Sequence, residues 1–324
     1  MILSDNFGRV FKYLRVSITD RCNYKCKYCS PYNSFKHIDH NRVLRYEDIL
    51  YIISTLARYG LKKVRITGGE PLVRKGLPEF ISEINRIKEI EEITVTTNGS
   101  LLDKCGVQLK KAGVKRINIS LDSLQADKYA FITGGFDLDK IIENIKFAKK
   151  CGFNPIKINT VMIKDFNDNE ILDFCEFAES TETIVRFIEF MPVGGIEWNY
   201  DKVLSGESIL KIISTQYKVS NLNNNRSPSR DYRLSNGATI GIISPVTHHF
   251  CEFCDKLRLM ADGNIKPCLL MNEEVDLFNI IKDRDDNRLI NTLINILKLK
   301  NREHIILQER SFKNNGKPMS SIGG

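Results

Sequence analysis

Six of the nine cysteines in this 324-residue chain fall into two triads. Cys22, Cys26 and Cys29 form C-x3-C-x2-C within Thr19-Asp20-Arg21-Cys22-Asn23-Tyr24-Lys25-Cys26-Lys27-Tyr28-Cys29. Three thiolates this close can hold three irons of a [4Fe–4S] cluster and leave the fourth iron open to an amino-carboxylate ligand. Structural zinc needs four closed ligands, and His37 or His40 would have to supply the fourth. The second triad is Cys251, Cys254 and, after thirteen intervening residues, Cys268. His248 and His249 lie just upstream and could complete a Cys3His zinc site, so spacing leaves iron–sulfur and zinc both open there. Cys105, Cys151 and Cys175 lie on or beside helical patterns and read as small core residues.

An odd cysteine count with no export signal argues against a disulfide framework and for metal binding or catalysis. The start, Met1-Ile2-Leu3-Ser4-Asp5-Asn6, lacks the basic, apolar and small-residue pattern of a signal peptide. No apolar run reaches the ~18 residues of a membrane span. A soluble, cytoplasmic protein with no membrane partner is expected. Hydrophobic residues make up 42% and charged residues 27% of the chain, enough for a sizeable core. The formal charge of +8 is spread along the chain rather than gathered in a polybasic tail, which speaks against a nucleic-acid partner.

The elements that must position these cysteines alternate up to about residue 190. Strands are expected at Tyr13–Thr19, Lys63–Thr67, Ile93–Thr97, Lys115–Leu121, Ile156–Ile163 and Ile184–Phe190. Helical patterns lie between them at Tyr46–Arg58, Leu77–Ile87, Leu101–Ala112, Asp137–Lys150 and Asp168–Glu179, and Gly60, Gly113 and Gly152 follow three of these as stop signals. Repeated βα units imply a parallel sheet with right-handed crossovers, and six are too few for a closed eight-stranded barrel. The Asn-rich stretch Ser220–Asp231 divides the chain into a partial barrel, 1–219, and a smaller C-terminal module, 220–324. That module is expected to hold strands at Ala238–Ile243 and Lys256–Met260 and a helix at Asn287–Lys298.

C-x3-C-x2-C after the first strand and Gly68-Gly69-Glu70-Pro71 after the second resemble the radical S-adenosylmethionine (SAM) superfamily. Within it, Arg15-Val16-Ser17-Ile18-Thr19-Asp20-Arg21-Cys22-Asn23, Arg65-Ile66-Thr67-Gly68-Gly69-Glu70-Pro71 and Thr96-Thr97-Asn98-Gly99 are similar to the GTP 3′,8-cyclase family of molybdenum-cofactor biosynthesis. Asn118-Ile119-Ser120-Leu121-Asp122, Arg186-Phe187-Ile188-Glu189-Phe190-Met191, the second triad and the final Gly323-Gly324 extend the resemblance over essentially the whole chain.

The resemblance implies an incomplete (β/α)6 radical SAM barrel, an α/β fold, with a C-terminal module carrying a second [4Fe–4S] cluster. It implies SAM and GTP as ligands, with an adenosyl radical taking hydrogen from C3′ of GTP. Cys22, Cys26 and Cys29 would hold the SAM cluster, and Cys251, Cys254 and Cys268 the substrate cluster. Tyr28, Gly69, Ser120 and Met191 match SAM-contacting positions. Arg15, Arg65, Thr96, Lys157, Lys256, Leu257 and Arg258 match GTP-contacting positions, with Arg15 and Arg258 assigned as catalytic. The family's usual arginine at Lys256 is replaced by lysine, which keeps the charge and loses the planar fork. An electron donor such as flavodoxin or ferredoxin, transfer of product to cyclic pyranopterin monophosphate synthase, and a monomer or homodimer are expected. A peptide-modifying radical SAM maturase with an auxiliary cluster is the alternative. By composition the tail is a frayed end. The family pattern instead predicts that Gly323-Gly324 threads into the barrel mouth, beside the SAM and GTP sites.

Overall fold

Alternation along the first strand already sorts the sheet into two faces. In β1 (Tyr13–Ser17), Leu14 and Val16 are fully buried in the main apolar core, and Tyr13, Arg15 and Ser17 take the other face. In the computed structural model, residues 2–29, 37–193, 198–222, 227–304 and 317–323 are described. Strands β2 (Lys63–Thr67), β3 (Glu92–Thr97), β4 (Arg116–Ser120), β5 (Ile156–Met162) and β6 (Ile184–Glu189) follow β1 in spatial order, each parallel to its neighbour. All six match the expected strands to within two residues at each end. Their connections carry α1 (Tyr46–Ala57), α2 (Leu77–Asn85), α3 (Leu102–Lys111), α4 (Ala126–Thr133), α5 (Leu138–Lys150) and α6 (Ile171–Thr181).

The helices cover the apolar face. Ile49, Ile52, Ile53, Leu56 and Ala57 of α1 are all buried, as their spacing predicts, each large side chain stabilising the fold by roughly 1.5–3 kcal/mol. Gly60, Gly113 and Gly152 follow α1, α3 and α5 with positive φ. Helix α4 has no counterpart among the expected helices, because it is short and buries only Tyr129, Ile132 and Thr133. The predicted Asp168–Glu179 helix starts as a 3-10 turn and becomes α-helical at Ile171.

The C-terminal module does not stand apart as a separate sheet. After α7 (Gly206–Ser214) come β7 (Val219–Asn221), β8 (Arg230–Leu234), β9 (Thr239–Ile243), β10 (Lys256–Leu259), β11 (Asn264–Lys266) and β12 (Val275–Asp276). Strand β9 pairs parallel with β6, and β10 pairs parallel with β1. The result is one twelve-stranded sheet in the order β12-β11-β10-β1-β2-β3-β4-β5-β6-β9-β8-β7. Helices α8 (Phe278–Asp283), α9 (Asp286–Lys298) and α10 (Met319–Ile322) complete the chain. Part of the Asn-rich stretch, 223–226, lies outside the described residues.

Glu189, at the end of β6, ties the two halves together. Its carboxylate accepts from the backbone N–H of Gly206, Val246 and Thr247, each at 2.9 Å. This fixes the segment that leads from β9 to the second cysteine triad.

Candidate active site

The inner face of the sheet is polar, unlike the packed interior of a closed eight-stranded barrel. Register places Arg258, Arg15 and Arg65 side by side on β10, β1 and β2. Thr94 and Arg116 continue the same row on β3 and β4. Arg65 donates to Thr94 Oγ1 at 3.2 Å, and its guanidinium stands 5.4 Å from the centre of the Tyr13 ring. Lys256 lies on that ring as well, at 5.7 Å. Across the sheet, Lys157 is aligned with Asn118 and Thr96, and Arg186 with Asn159 and Ser120.

These cations act on one another. Burial, followed by repulsion from Arg258 and Arg65, holds Arg15 well below the ordinary arginine range. Burial and then Arg186 bring Lys157 down to about 8, and burial and then Arg65 bring Arg186 to about 10. Asp231 offsets part of both shifts. Tyr13 Oη, Asn159 Oδ1 and Arg186 Nε are buried without a hydrogen-bond partner among the described residues. So many mutually repelling cations and so much unmet hydrogen-bonding capacity in one enclosure fit a polyanionic ligand.

The first triad sits above this row, at the C-terminal end of β1. Its loop is fastened to the loop after β2: Gly69 N–H donates to Thr19 O at 2.6 Å and Glu70 N–H to Arg21 O at 2.8 Å. A Cβ on Gly68 would come within 2.7 Å of Thr19 O, and one on Gly69 within 2.4 Å of Arg21 O. The two glycines are therefore required by the approach of the cysteine loop itself. On its other side the loop is bonded to α4, with Lys25 N–H donating to Thr133 O and Lys27 N–H to Ile132 O. Tyr28 donates to Asp122 Oδ2 at 2.7 Å. Burial pushes the Glu70 carboxyl up to about 7, even though Asn98 N–H, Thr97 Oγ1 and Leu72 N–H all donate to it.

The second triad lies at the opposite end of the same strands. Cys251 and Cys254 precede the start of β10, which is level with the start of β1, and Cys268 follows β11, which runs antiparallel to β10. The first triad follows the C-terminal end of a strand and the second does not, because the chain enters β10 from the far side. The four residue steps from Tyr13 to Ser17 separate the two ends by about 13 Å of strand. The cationic row lies between them.

The donor sets fit iron–sulfur clusters. All six cysteines are free. Cys22 accepts from Tyr24 N–H at 3.3 Å, the Ser320 backbone donates to Cys29, and Lys300 Nζ donates to Cys254 Sγ at 3.4 Å. Such N–H···S bonds stabilise ligating thiolates. Burial pushes Cys22 up to about 11 and Cys29 to about 12, so cluster binding must displace protons. No group of three His, Cys, Asp or Glu among the described residues is placed to hold a single ion. His249 instead pairs with Glu303 at 3.4 Å and meets His304 edge to face.

Of the SAM-matching positions, Tyr28 and Gly69 belong to the first-cluster end, Ser120 closes β4, and Met191 lies two residues past β6 against the small cluster that includes Ile322. Arg15, Arg65, Lys157 and Arg258 converge as expected, with Lys256 at the second-triad end. Leu257 does not converge with them. Its side chain is 3% exposed and lies in the apolar core, aligned with Leu14, which leaves its backbone as the part within reach of a ligand. The tail does enter. Ser320, Ser321 and Ile322 are buried, and Arg258 Nη1 donates to Gly323 O at 2.9 Å. Gly324 lies outside the described residues. Sequence reasoning missed Tyr13, Arg116, Asn159 and Arg186 as site residues, although strand alternation could have assigned Arg186 to the face opposite buried Phe187.

Comparison with known proteins agrees with this geometry. The profile of the Radical SAM superfamily matches residues 16–178, and that of Molybdenum Cofactor Synthesis C matches residues 183–306. The chain is 41% identical over 326 residues to a GTP 3′,8-cyclase of Peptoclostridium acidaminophilum, covering 100% of this chain and 98% of that protein. It is 45% identical over 277 residues to a GTP 3′,8-cyclase of Petrotoga mobilis, covering 84% and 85%. Among solved structures, Streptococcus suis SuiB bound to precursor peptide SuiA aligns with a TM-score of 0.62 at 18% identity, covering 97% of this chain and 69% of that one, a likeness of fold. No helix among the described residues is long and apolar enough to cross a membrane. Two cysteine triads on one polar-faced sheet, both family profiles and full-length identity near 40% place this chain in the GTP 3′,8-cyclase family of the radical SAM superfamily.

Proposed function

We propose that this chain is a radical SAM lyase that cyclises GTP in the first step of molybdenum-cofactor biosynthesis. The observation that carries the reading is the row of Arg258, Arg15 and Arg65 lying between two cysteine triads at opposite ends of one sheet. When bound, the first cluster and SAM would supply the adenosyl radical that takes hydrogen from C3′ of GTP; bond formation between C3′ and C8, completed by one electron from the external donor and one proton at N7, would give (8S)-3′,8-cyclo-7,8-dihydroguanosine 5′-triphosphate.

The chain's own residues set the geometry for this step. Cys22, Cys26 and Cys29 hold the upper cluster, where Tyr28, Gly69, Ser120 and Met191 line the SAM side. Cys251, Cys254 and Cys268 hold the lower cluster, where guanine binds. Arg15, Arg65, Thr96, Lys157 and Arg258, joined by Arg186 and Lys256, bind the triphosphate and span the distance between the ends. Arg258, which donates to Gly323 O, lies beside the tail and together with Arg15 orients the ribose, while Gly323, set against Ser17 and Thr67, excludes water. Such positioning is where most of the rate comes from in a reaction between two bound partners. The cationic interior suits a polyphosphate better than a peptide.

The reading further assigns a flavodoxin or ferredoxin as electron donor, cyclic pyranopterin monophosphate synthase as recipient of the product, a cytoplasmic location and a monomer or homodimer. The test is an anaerobic assay of reconstituted protein with SAM, dithionite and GTP. Formation of 5′-deoxyadenosine together with cyclised guanosine triphosphate is expected. Alanine at Cys22, Cys26 or Cys29 should abolish both products. Alanine at Cys251, Cys254 or Cys268 should abolish cyclisation and leave some uncoupled SAM cleavage. Equal loss of SAM cleavage in both sets would refute separate roles for the triads.

A further inference from the structure

Lysine is among the residues least often buried without a partner. Lys300, just past α9, is nevertheless 4% exposed. Its ammonium donates to Cys254 Sγ at 3.4 Å and to Lys256 O at 3.2 Å, and it stands 4.5 Å from the centre of the Phe11 ring. It makes no salt bridge to a carboxylate among the described residues. The anion within its reach is thus the sulfur of Cys254, which is a full thiolate once it ligates iron.

We infer that Lys300 is the built-in counter-ion of the second cluster, making that cluster easier to reduce and letting a polyanionic nucleotide approach it. This rests on the cyclase reading for the identity of the nucleotide, and on the second triad alone for the rest. Three thiolates on one oxidised cubane leave a net anion. An unscreened anion at that end would repel the triphosphate that the row of Arg258, Arg15 and Arg65 attracts. An ammonium hydrogen-bonded to a ligand sulfur offsets that charge, and bonds to sulfur together with net charge set cluster potential. Lys256 is held by Asp255 at 3.5 Å, so among the described residues Lys300 is the neighbour whose charge no carboxylate shares.

The test uses reconstituted holoenzyme and the substitutions Lys300→Met and Lys300→Arg. Lys300→Met keeps the length and apolar stem and removes the charge, whereas Lys300→Arg keeps the charge. Midpoint potentials of both clusters are read by redox titration followed by electron paramagnetic resonance, without GTP. GTP affinity is read separately by calorimetry. Lys300→Met should move the second cluster to a more negative potential, leave the first unmoved, and weaken GTP binding about tenfold. Lys300→Arg should restore most of both. Loss of the second cluster in the Met variant alone would carry the same meaning. An unmoved second potential, equal shifts in both clusters, or loss of the second cluster in both variants would overturn the assignment. The potentials need no turnover, so failure of the cyclase reading would show in the GTP arm and leave this arm intact.

Discussion

Lys157 and Arg186 show how single residues in this barrel are tuned by their neighbours. They occupy adjacent strands, repel each other, and share the partial compensation of Asp231. With its pKa brought down to about 8, Lys157 is charged below that pH and loses its proton as pH rises through it. A bound triphosphate favours the ammonium, so GTP binding takes up a proton in alkaline solution. Affinity should therefore be level below about pH 7 and fall roughly tenfold per pH unit above 8. Lys157→Arg keeps its charge throughout and should flatten that decline. Calorimetry from pH 7 to 9.5 checks this, and an affinity independent of pH in the unsubstituted protein would remove the ammonium from the phosphate site. Lys157 was legible in the sequence through the family pattern. Arg116 and Arg186 were not, because one arginine in a strand reads as a solvated charge until the register shows which face it joins.

At the level of elements, the two loops above β1 and β2 and the tail between them act as one closure with separable parts. Gly69 faces the carbonyl of Arg21, and a methyl group there forces the first cysteine loop away from β2. Gly323 has φ of 86° and would drive a methyl group to 2.2 Å from Thr67 Oγ1. Overpacking of either kind costs about 1–3 kcal/mol, but the consequences should differ. Gly69→Ala should lower iron and sulfide content toward that of a single cluster. Gly323→Ala should retain both clusters and lose cyclised product at least tenfold, with SAM cleavage persisting. Metal analysis beside product chromatography distinguishes them, and identical profiles would show that tail and loop are not independent. The six strands of the first half could be read from β-branched runs, and the buried face of α1 from its spacing. Helix α4 could not, since three buried side chains give too little periodicity. The placement of β9 and β10 on opposite sides of the six parallel strands also escaped, because strand patterns carry no information about which distant strand they meet. The tail had no local signal at all. Ser320 and Ser321 are buried because the barrel holds room for them, which composition does not record.

For the molecule as a whole, the polar inner face means that the protein is built to be completed by what it binds. Arginines crowded at Arg258, Arg15 and Arg65 destabilise the empty fold, and a polyanion relieves them. Saturating GTP, at about a hundred times its dissociation constant, should add about 2.7 kcal/mol and raise the melting temperature by about 4 °C. Inorganic triphosphate should reproduce part of the gain, guanosine almost none, and added salt should erode it. A thermal shift assay in low and high salt decides, and equal stabilisation by guanosine would move the main contact from phosphate to base. The pairing of β10 with β1 carries a further consequence, for how the chain is made. Arg15 meets Arg258 across 243 positions of sequence. During synthesis β1 therefore waits with an open edge until most of the chain has emerged. Contacts this distant fold slowly, and an unpaired strand edge invites association with other chains. The same pairing that sets the two cysteine triads at opposite ends of one barrel thus leaves nascent copies with an unpaired edge on β1 until β10 arrives.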